Sequence, residues 1–321
     1  MSNPSFYIMT PTGKVERIEG SCIVALGTFD GVHIAHKKLL ERAVALKNET
    51  GADLAGAWCF STSPANLING KNTPSLSTLE EKIALMLSLG LDFVAVGDFS
   101  DFRDVSAADF AEIFLKEKLN ATGTVCGFNH KFGKGGIGNP QLLEETFGKN
   151  HVEVVPEIKV DGETVSSSAI KAHLLQGETE IAAKMLGRAY SLKARVLTGK
   201  NLGHTIGFPT ANQQFHANTL IPKRGIYASI CITEDGKKRV AISNIGIRPT
   251  ITDGSDNHII NCETHVHNFY ENIYGKVVTV EFHSYLREEK KFESIKALCS
   301  QIRADLKSSI SYFKGKDEKL S

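Results

Sequence analysis

A hydroxyl and a carboxamide stand two residues apart in Gly207-Phe208-Pro209-Thr210-Ala211-Asn212, directly after the glycine-bearing stretch Leu197-Thr198-Gly199-Lys200-Asn201-Leu202-Gly203-His204-Thr205-Ile206. Gly199 and Gly203 let backbone amides close over phosphates. Pro209 stiffens the turn, so that Thr210 Oγ1 and Asn212 Oδ1 point the same way as hard ligands for Mg²⁺. Far downstream, Cys262-Glu263-Thr264-His265 sets one carboxylate in an alternating strand pattern. Facing a γ-phosphate, Glu263 takes a proton from an incoming hydroxyl, the need of kinase chemistry; facing solvent it is an ordinary strand glutamate, and the residues alone leave both open. Asn244-Ile245-Gly246 and Arg248-Pro249-Thr250 read as a tight, structural connection near the same rim.

A second phosphate-type phrase lies upstream, Gly27-Thr28-Phe29-Asp30-Gly31-Val32-His33-Ile34-Ala35-His36, which closes a strand-like run and opens a helix-like one. Gly27 and Gly31 permit close backbone approach to an anion, with Phe29 and Asp30 assigned to the same nucleotide loop. His33 and His36, three apart at a helix start, can donate to a phosphoryl oxygen as charge builds on a leaving pyrophosphate. A bare His-x-x-His is more often a surface turn; the whole phrase after a strand argues against that here. The stretch Gly127 to Gly138, with Lys131 and Lys134, can wrap an anion but is weak evidence by itself.

The elements that must hold these residues follow from periodicity. Strands are expected at Ser21–Gly27, Leu54–Phe60, Phe93–Val96, Thr124–Gly127 and Val152–Val155, with helices at Lys37–Asn48, Leu79–Leu89, Ala107–Lys118 and Gln141–Phe147. That alternation predicts a doubly wound parallel sheet, with both glycine-bearing loops at strand carboxyl ends, where such sheets bind ligands. Ser166 and Ser167 precede an apolar-periodic run ending at Gly177, a capped helix, and Glu178–Leu186 is a second. Beyond Tyr190 short strand-like runs, Ser191–Leu197, Gly225–Ile232, Arg239–Asn244, Ile259–Val266 and Lys276–Tyr285, predict a small antiparallel barrel or sandwich. A helix at Phe292–Leu306 and a charged tail, Lys314–Ser321, close the chain. The limits are 1–187 for the α/β domain and 188–321 for the barrel.

Length and composition agree with two domains: 321 residues, 41% of them hydrophobic. With 37 Lys+Arg against 36 Asp+Glu, no overall field draws the protein to nucleic acid or anionic lipid, so small-molecule partners are expected. Six widely spaced cysteines without a Cys-x-x-Cys pair read as reduced core thiols. The first seventeen residues lack a signal-peptide pattern and no apolar run approaches spanning length, which predicts a cytoplasmic protein without a membrane partner.

From about Cys22 to Asp305 the chain resembles the bacterial bifunctional riboflavin kinase/FAD synthetase family. The phrase Pro209-Thr210-Ala211-Asn212, the Asn244-Ile245-Gly246 and Arg248-Pro249-Thr250 segments, Glu263, Tyr274-Gly275 and Leu286-Arg287 carry the match in the second half. The resemblance implies a nucleotidyltransferase-like α/β domain that adenylylates FMN, followed by a barrel with a C-terminal helix that phosphorylates riboflavin. It implies Thr210 and Asn212 on Mg²⁺-ATP, Glu263 as base and Arg287 near the flavin. The first half departs from the family's pattern. Ala35 replaces a glycine; Ala169 and Lys171 replace two arginines; Lys131 and Gly136 replace arginines; Asn129 replaces an acid; Thr62-Ser63-Pro64 replaces a Pro-His-Pro turn. Ser166, Ser167 and Lys171 remain for the nucleotide, with lysine lacking arginine's planar fork. The competing expectations are a riboflavin kinase with a degenerate first domain, a flavin-binding regulator without catalysis, and a nucleotidyltransferase acting on another phosphorylated acceptor.

Overall fold

The computed structural model describes residues 5–10, 18–62, 73–198, 202–215, 218–248 and 259–314. Contacts divide the chain into two compact units, Met1–Ser167 and Ser168–Ser321. The first unit holds β1 (Ser5–Met9), β2 (Cys22–Leu26), β3 (Leu54–Phe60), β4 (Phe93–Gly97), β5 (Ala121–Gly127) and β6 (Val152–Val155) in one parallel sheet of order β1-β4-β3-β2-β5-β6. Two-residue strands β7 (Lys159–Val160) and β8 (Glu163–Thr164) form a separate hairpin.

Strands β2 and β4 are buried along their whole length, as parallel strands covered on both faces must be. Alternate residues feed two cores. Cys22, Val24 and Leu26 join Phe102, Phe110 and Phe114; Ile23 and Ala25 join Leu39, Leu40, Leu46 and Met86. Each fully buried large side chain contributes about 1.5–3 kcal/mol. The strand order runs away from β2 toward β1 on one side and from β5 toward β6 on the other, so the topological switch point lies between β2 and β5. Their register, Ala25↔Val125, brings the Gly27 and Gly127 loops out at adjacent positions of one sheet edge.

Edge strand β1 was not expected from the sequence, because a five-residue run with a polar start carries too few positions to show a period. The expected helix at Ala107–Lys118 is a short α-turn, Ala107–Asp109, that continues as a π-helical segment, Phe110–Lys118. Glycine-rich Gly127–Gly138 is an ordered structure. A Phe132↔Gly138 bridge closes it, and Gly133 (φ 70°) packs where a Cβ would lie 2.5 Å from the Ala107 backbone.

In the second unit the helices Ser167–Gln176 and Thr179–Leu186 precede the barrel; the first of them straddles the division between the units. Thr179 Oγ1 donates to the His283 carbonyl at 3.0 Å, which ties the second helix to the barrel wall. The barrel closes through β9 (Tyr190–Leu197), β10 (Ala211–Gln214), β11 (Gly225–Ile232), β12 (Lys238–Arg248), β13 (Ile259–Val266) and β14 (Val277–Arg287), in the order β10-β13-β12-β11-β14-β9, all antiparallel.

Strand β10 carries no periodic signal in the sequence, because Asn-Gln-Gln has no apolar alternation. Gln213 nevertheless points inward, its amide donating to the Ala194 carbonyl at 2.9 Å and the Val278 carbonyl at 3.0 Å. Strand β12 continues to Arg248, so Asn244-Ile245-Gly246 is mid-strand rather than a tight connection: its pairing with β13 persists through Gly246↔Asn261.

Helix Ile295–Lys314 buries Asp305, Ser309 and Phe313, four residues apart, against the barrel. Ser309 Oγ donates to the Ala241 carbonyl at 2.8 Å, and Phe313 packs with Ala228 and Ile230. The Arg287 guanidinium grips Asp305 through Nε (3.0 Å) and Nη2 (2.6 Å). Breaking such a pair strands a buried charge, at a cost of about 3–5 kcal/mol.

Candidate active site

In the first unit the Gly27–His36 phrase leaves β2 through three successive departures from ordinary backbone: Phe29 (φ 51°), Gly31 (φ 76°) and Val32 (φ 39°). Left-handed conformations at phenylalanine and especially at β-branched valine are strained and persist only where the surroundings impose them. Those surroundings are on hand. Phe29 is fully buried and packs on Gly27, whose added Cβ would lie 3.1 Å from the ring. Asp30 Oδ1 accepts from the Leu76 amide at 2.8 Å, and the Gly31 amide donates to Ser77 Oγ at 3.3 Å. Ser167 Oγ donates to the Asp30 carbonyl at 3.0 Å, joining a second nucleotide candidate to the turn.

His33 caps the helix Ile34–Thr50, its Nδ1 accepting from the His36 amide at 3.2 Å, so the neutral ring carries its proton on Nε2. The two imidazoles stack with centroids 3.6 Å apart, and Phe29 meets His36 edge-on. His36 is buried, and among the described residues its Nδ1 has no hydrogen-bond partner. Lys131 is exposed on the Gly127 loop, with its Cβ near Gly136. Lys171 is half-buried, one turn after Ser167 on the same helix face, and Ser166 precedes that helix. The structure therefore brings Gly27, Phe29, Asp30, Gly31, His33, His36 and Ser167 together, with Gly127 on the adjacent strand.

Burial first, then the charges of His33 and Lys82, holds the His36 pKa well below its ordinary 6.5. The unfolded chain thus binds a proton that the folded chain refuses, so stability falls as pH drops through about 6.5 and is fully regained above it. His265, lowered chiefly by burial, acts in the same direction. Urea midpoints should be flat above about pH 7 and decline toward pH 5, and His36→Leu should reduce that decline.

In the barrel, alternation sorts the candidate residues by face. Ala211, Val196, Cys231, Ala241, Val266 and Val278 form the interior, with Ser229, Ser243 and Thr264 linked there by hydroxyl contacts of 2.8 Å. Asn212 and Glu263 consequently project from the outer surface. They are direct cross-strand partners, as are Asn244 and Glu263. Asn261, buried on the same face, donates its amide to Asn212 Oδ1 at 3.2 Å and Glu263 Oε1 at 3.3 Å, while Asn212 Nδ2 donates to the Thr210 carbonyl at 3.3 Å. Glu263 is exposed, and Asn261 joins it to Asn212 of the elbow. Asn244 Nδ2 donates to Glu289 Oε1 at 3.0 Å, extending the polar row.

The elbow itself is fixed from three sides. Phe208 N–H donates to the Gly203 carbonyl at 2.7 Å, and a Cβ at Gly203 would meet the Phe208 oxygen at 2.4 Å, so only glycine fits. His265 Nδ1–H donates to the Pro209 carbonyl at 2.9 Å, and the Phe208 ring meets the His265 ring edge-on. From the C-terminal helix, Arg303 lies over Phe208.

Asn261, His265 and Glu289 were missed in the sequence; their parity with Glu263 or nearness to β14 was the only signal. Gly199, Lys200, Asn201, Ser63, Pro64, Pro249, Thr250 and the tail beyond Lys314 lie outside the described residues. The six cysteines are free thiols, and burial pushes Cys22, Cys126, Cys231 and Cys262 up to about 12, which makes them inert. Among the described residues no helix is long and apolar enough to cross a membrane.

Two family models match, FAD synthetase over residues 15–169 and riboflavin kinase over residues 186–313. The chain is 30% identical to a bifunctional riboflavin kinase/FMN adenylyltransferase of Bacillus subtilis, covering 96% of this chain and 98% of that one. It is 32% identical to the protein so described from Haemophilus influenzae, covering 94% and 97%. A crystal structure of a Streptococcus pneumoniae protein, described as a macrolide-efflux protein, shares the fold with a TM-score of 0.85 and 25% identity over 95% of this chain and 98% of that one. With both models matched in order and full-length relatives at this identity, the chain belongs to the bifunctional riboflavin kinase/FMN adenylyltransferase family.

Proposed function

We propose that the protein makes flavin cofactors in two steps, phosphorylating riboflavin to FMN with ATP in the barrel and adenylylating FMN to FAD, with release of pyrophosphate, in the parallel-sheet unit. The observation that carries the first step is the Asn212–Glu263 strand pairing reinforced by Asn261, which holds a carboxylate against the Thr210–Asn212 elbow. Glu263 takes the proton of the ribityl hydroxyl as that oxygen attacks the γ-phosphorus in line, and the bond to the β,γ-bridging oxygen breaks so that ADP leaves. Thr210 and Asn212 position the triphosphate, with Gly203 beside it. Arg287 contacts the flavin through the outer Nη N–H groups that Asp305 and Glu288 do not take.

The donors present fit Mg²⁺. Thr210 and Asn212 offer neutral oxygens, and no cluster of three His, Cys, Asp or Glu stands among the described residues to hold a metal by protein alone. That suits an ion that completes its shell from phosphate and water. When bound, the ion neutralises charge on the triphosphate.

In the second step the FMN phosphate is already anionic at neutral pH and needs no base. His33 through its Nε2–H, together with His36 and Lys171, stabilises charge developing on the pyrophosphate, while Gly27, Phe29, Asp30, Gly31, Gly127, Lys131, Ser166 and Ser167 line the nucleotide. The working domain limits are 1–187 and 188–321, and the setting is the cytoplasm.

A time course with riboflavin, ATP and Mg²⁺, resolving FMN from FAD, tests the reading. FMN should appear first and FAD follow. FMN alone would mark the first unit as inactive, and no product would overturn the proposal.

A further inference from the structure

A buried ammonium lies beneath the phosphate-type turn of the first unit. Lys82 is 6% exposed, yet its Nζ donates to two carbonyl oxygens, Phe60 O at 2.8 Å and Thr28 O at 3.2 Å. Lysine is almost never this buried unless a carboxylate pairs with it, and among the described residues none does. Two of its neighbours bring no negative charge. The His36 imidazole is kept neutral, and burial raises the pKa of the Cys59 thiol and so disfavours its thiolate. The acid of the turn, Asp30, accepts from the Leu76 amide through Oδ1 and makes no ion pair with Lys82.

The placement is as telling as the charge. Phe60 ends β3 and Thr28 opens the turn after β2, so Lys82 ties together two adjacent strand ends at the ligand edge of the sheet. It comes from the helix Leu79–Ser88, locked at its start by the Thr78–Glu81 capping box. Leu76, Ser77 and Lys82 thus make three separate ties, to Asp30, Gly31 and Thr28, just where the backbone turns left-handed. A buried ammonium with no carboxylate in ion-pair contact among the described residues favours an anion arriving at the turn. Of the four arginine positions implied by the family resemblance, two hold Ala169 and Gly136 here and two hold the lysines Lys131 and Lys171, so the site carries fewer cations than the family pattern.

We propose that Lys82 is a positioning residue of the adenylyl-transfer site: it presets the Thr28–Gly31 turn and supplies a permanent positive charge beneath the bound phosphates. This rests on the reading of the first unit as an FMN adenylyltransferase. The probes are ATP and FMN, and the variants are Lys82→Gln, which keeps an N–H donor for the carbonyls without charge, and Lys82→Met, which keeps neither.

Both should lower kcat/KM for FAD formation by on the order of a hundredfold. Riboflavin phosphorylation by the same preparations should stay within about twofold and reports folding of the other unit. The His36 ring, followed by NMR in the full chain, should titrate at higher pH in Lys82→Gln, a response that loss of a mere strut does not give. Wild-type rates of FAD formation in Lys82→Gln would overturn the proposal, and should that variant not fold, Lys82→Met decides by the same criterion. If the wild-type protein makes no FAD, the reading of the unit fails instead; calorimetry with ATP then decides, where an affinity unchanged in Lys82→Gln overturns the cation and a drop of about tenfold supports it.

Discussion

Glu263→Gln stops riboflavin phosphorylation while FAD still forms from supplied FMN. Glutamine has nearly the shape of glutamate and can keep its Oε1 contact from Asn261, so the elbow Thr210–Asn212 and the pairing of β10 with β13 survive the change. What disappears is a group that can receive a proton, worth about 10²- to 10⁴-fold in rate when correctly placed. The KM for ATP should move little, because the nucleotide contacts proposed above are those of the elbow, not of the carboxylate. FAD formation serves as an internal control, since none of its proposed residues lies in the barrel strands. Measured kcat values for both products in one preparation decide the matter. A Glu263→Gln enzyme that phosphorylates riboflavin at more than about a tenth of the wild-type rate removes Glu263 as base.

The sequence showed the parallel sheet and most of the barrel because their strands are apolar runs bounded by turn residues, and burial on both faces of β2 and β4 leaves that pattern no ambiguity. It hid the pieces whose partners are polar. Strand β10 reads as a loop because Gln213 satisfies its inward amide on the backbones of β9 and β14, a bond no local pattern announces. Asn244-Ile245-Gly246 looks like a turn for its composition and is held extended by ladders on both sides. Glu263 was legible as a carboxylate but not as a neighbour of Asn212, since register across a barrel is a tertiary fact. The two histidines were legible by spacing. Their stacking, the left-handed backbone at Phe29 and Val32, and the ammonium under Thr28 depend on a helix that begins more than forty residues later in the chain.

His36→Leu removes FAD formation without destabilising the protein, and the two halves of that expectation come from the same atom. The imidazole is buried with Nδ1 unpartnered among the described residues, and an unsatisfied buried polar atom costs about 1–3 kcal/mol relative to an apolar group of similar shape. Leucine fits the surroundings, between Phe29 and the helix face that packs on the sheet, and it brings no proton equilibrium. Stability at neutral pH should therefore hold or rise, and the acid-side decline should shrink. The catalytic loss should be about 10²- to 10³-fold, the usual consequence of deleting one donor aimed at developing phosphoryl charge. His33→Ala provides the contrast, because His33 also caps the helix Ile34–Thr50; it should lose FAD formation and about 1 kcal/mol of stability together. Urea melts beside FAD assays on the two variants separate the roles. A His36→Leu protein that melts earlier and still makes FAD would show that the ring is a packing element, and the histidine pair would then have to yield its place in the mechanism to the cations around the turn.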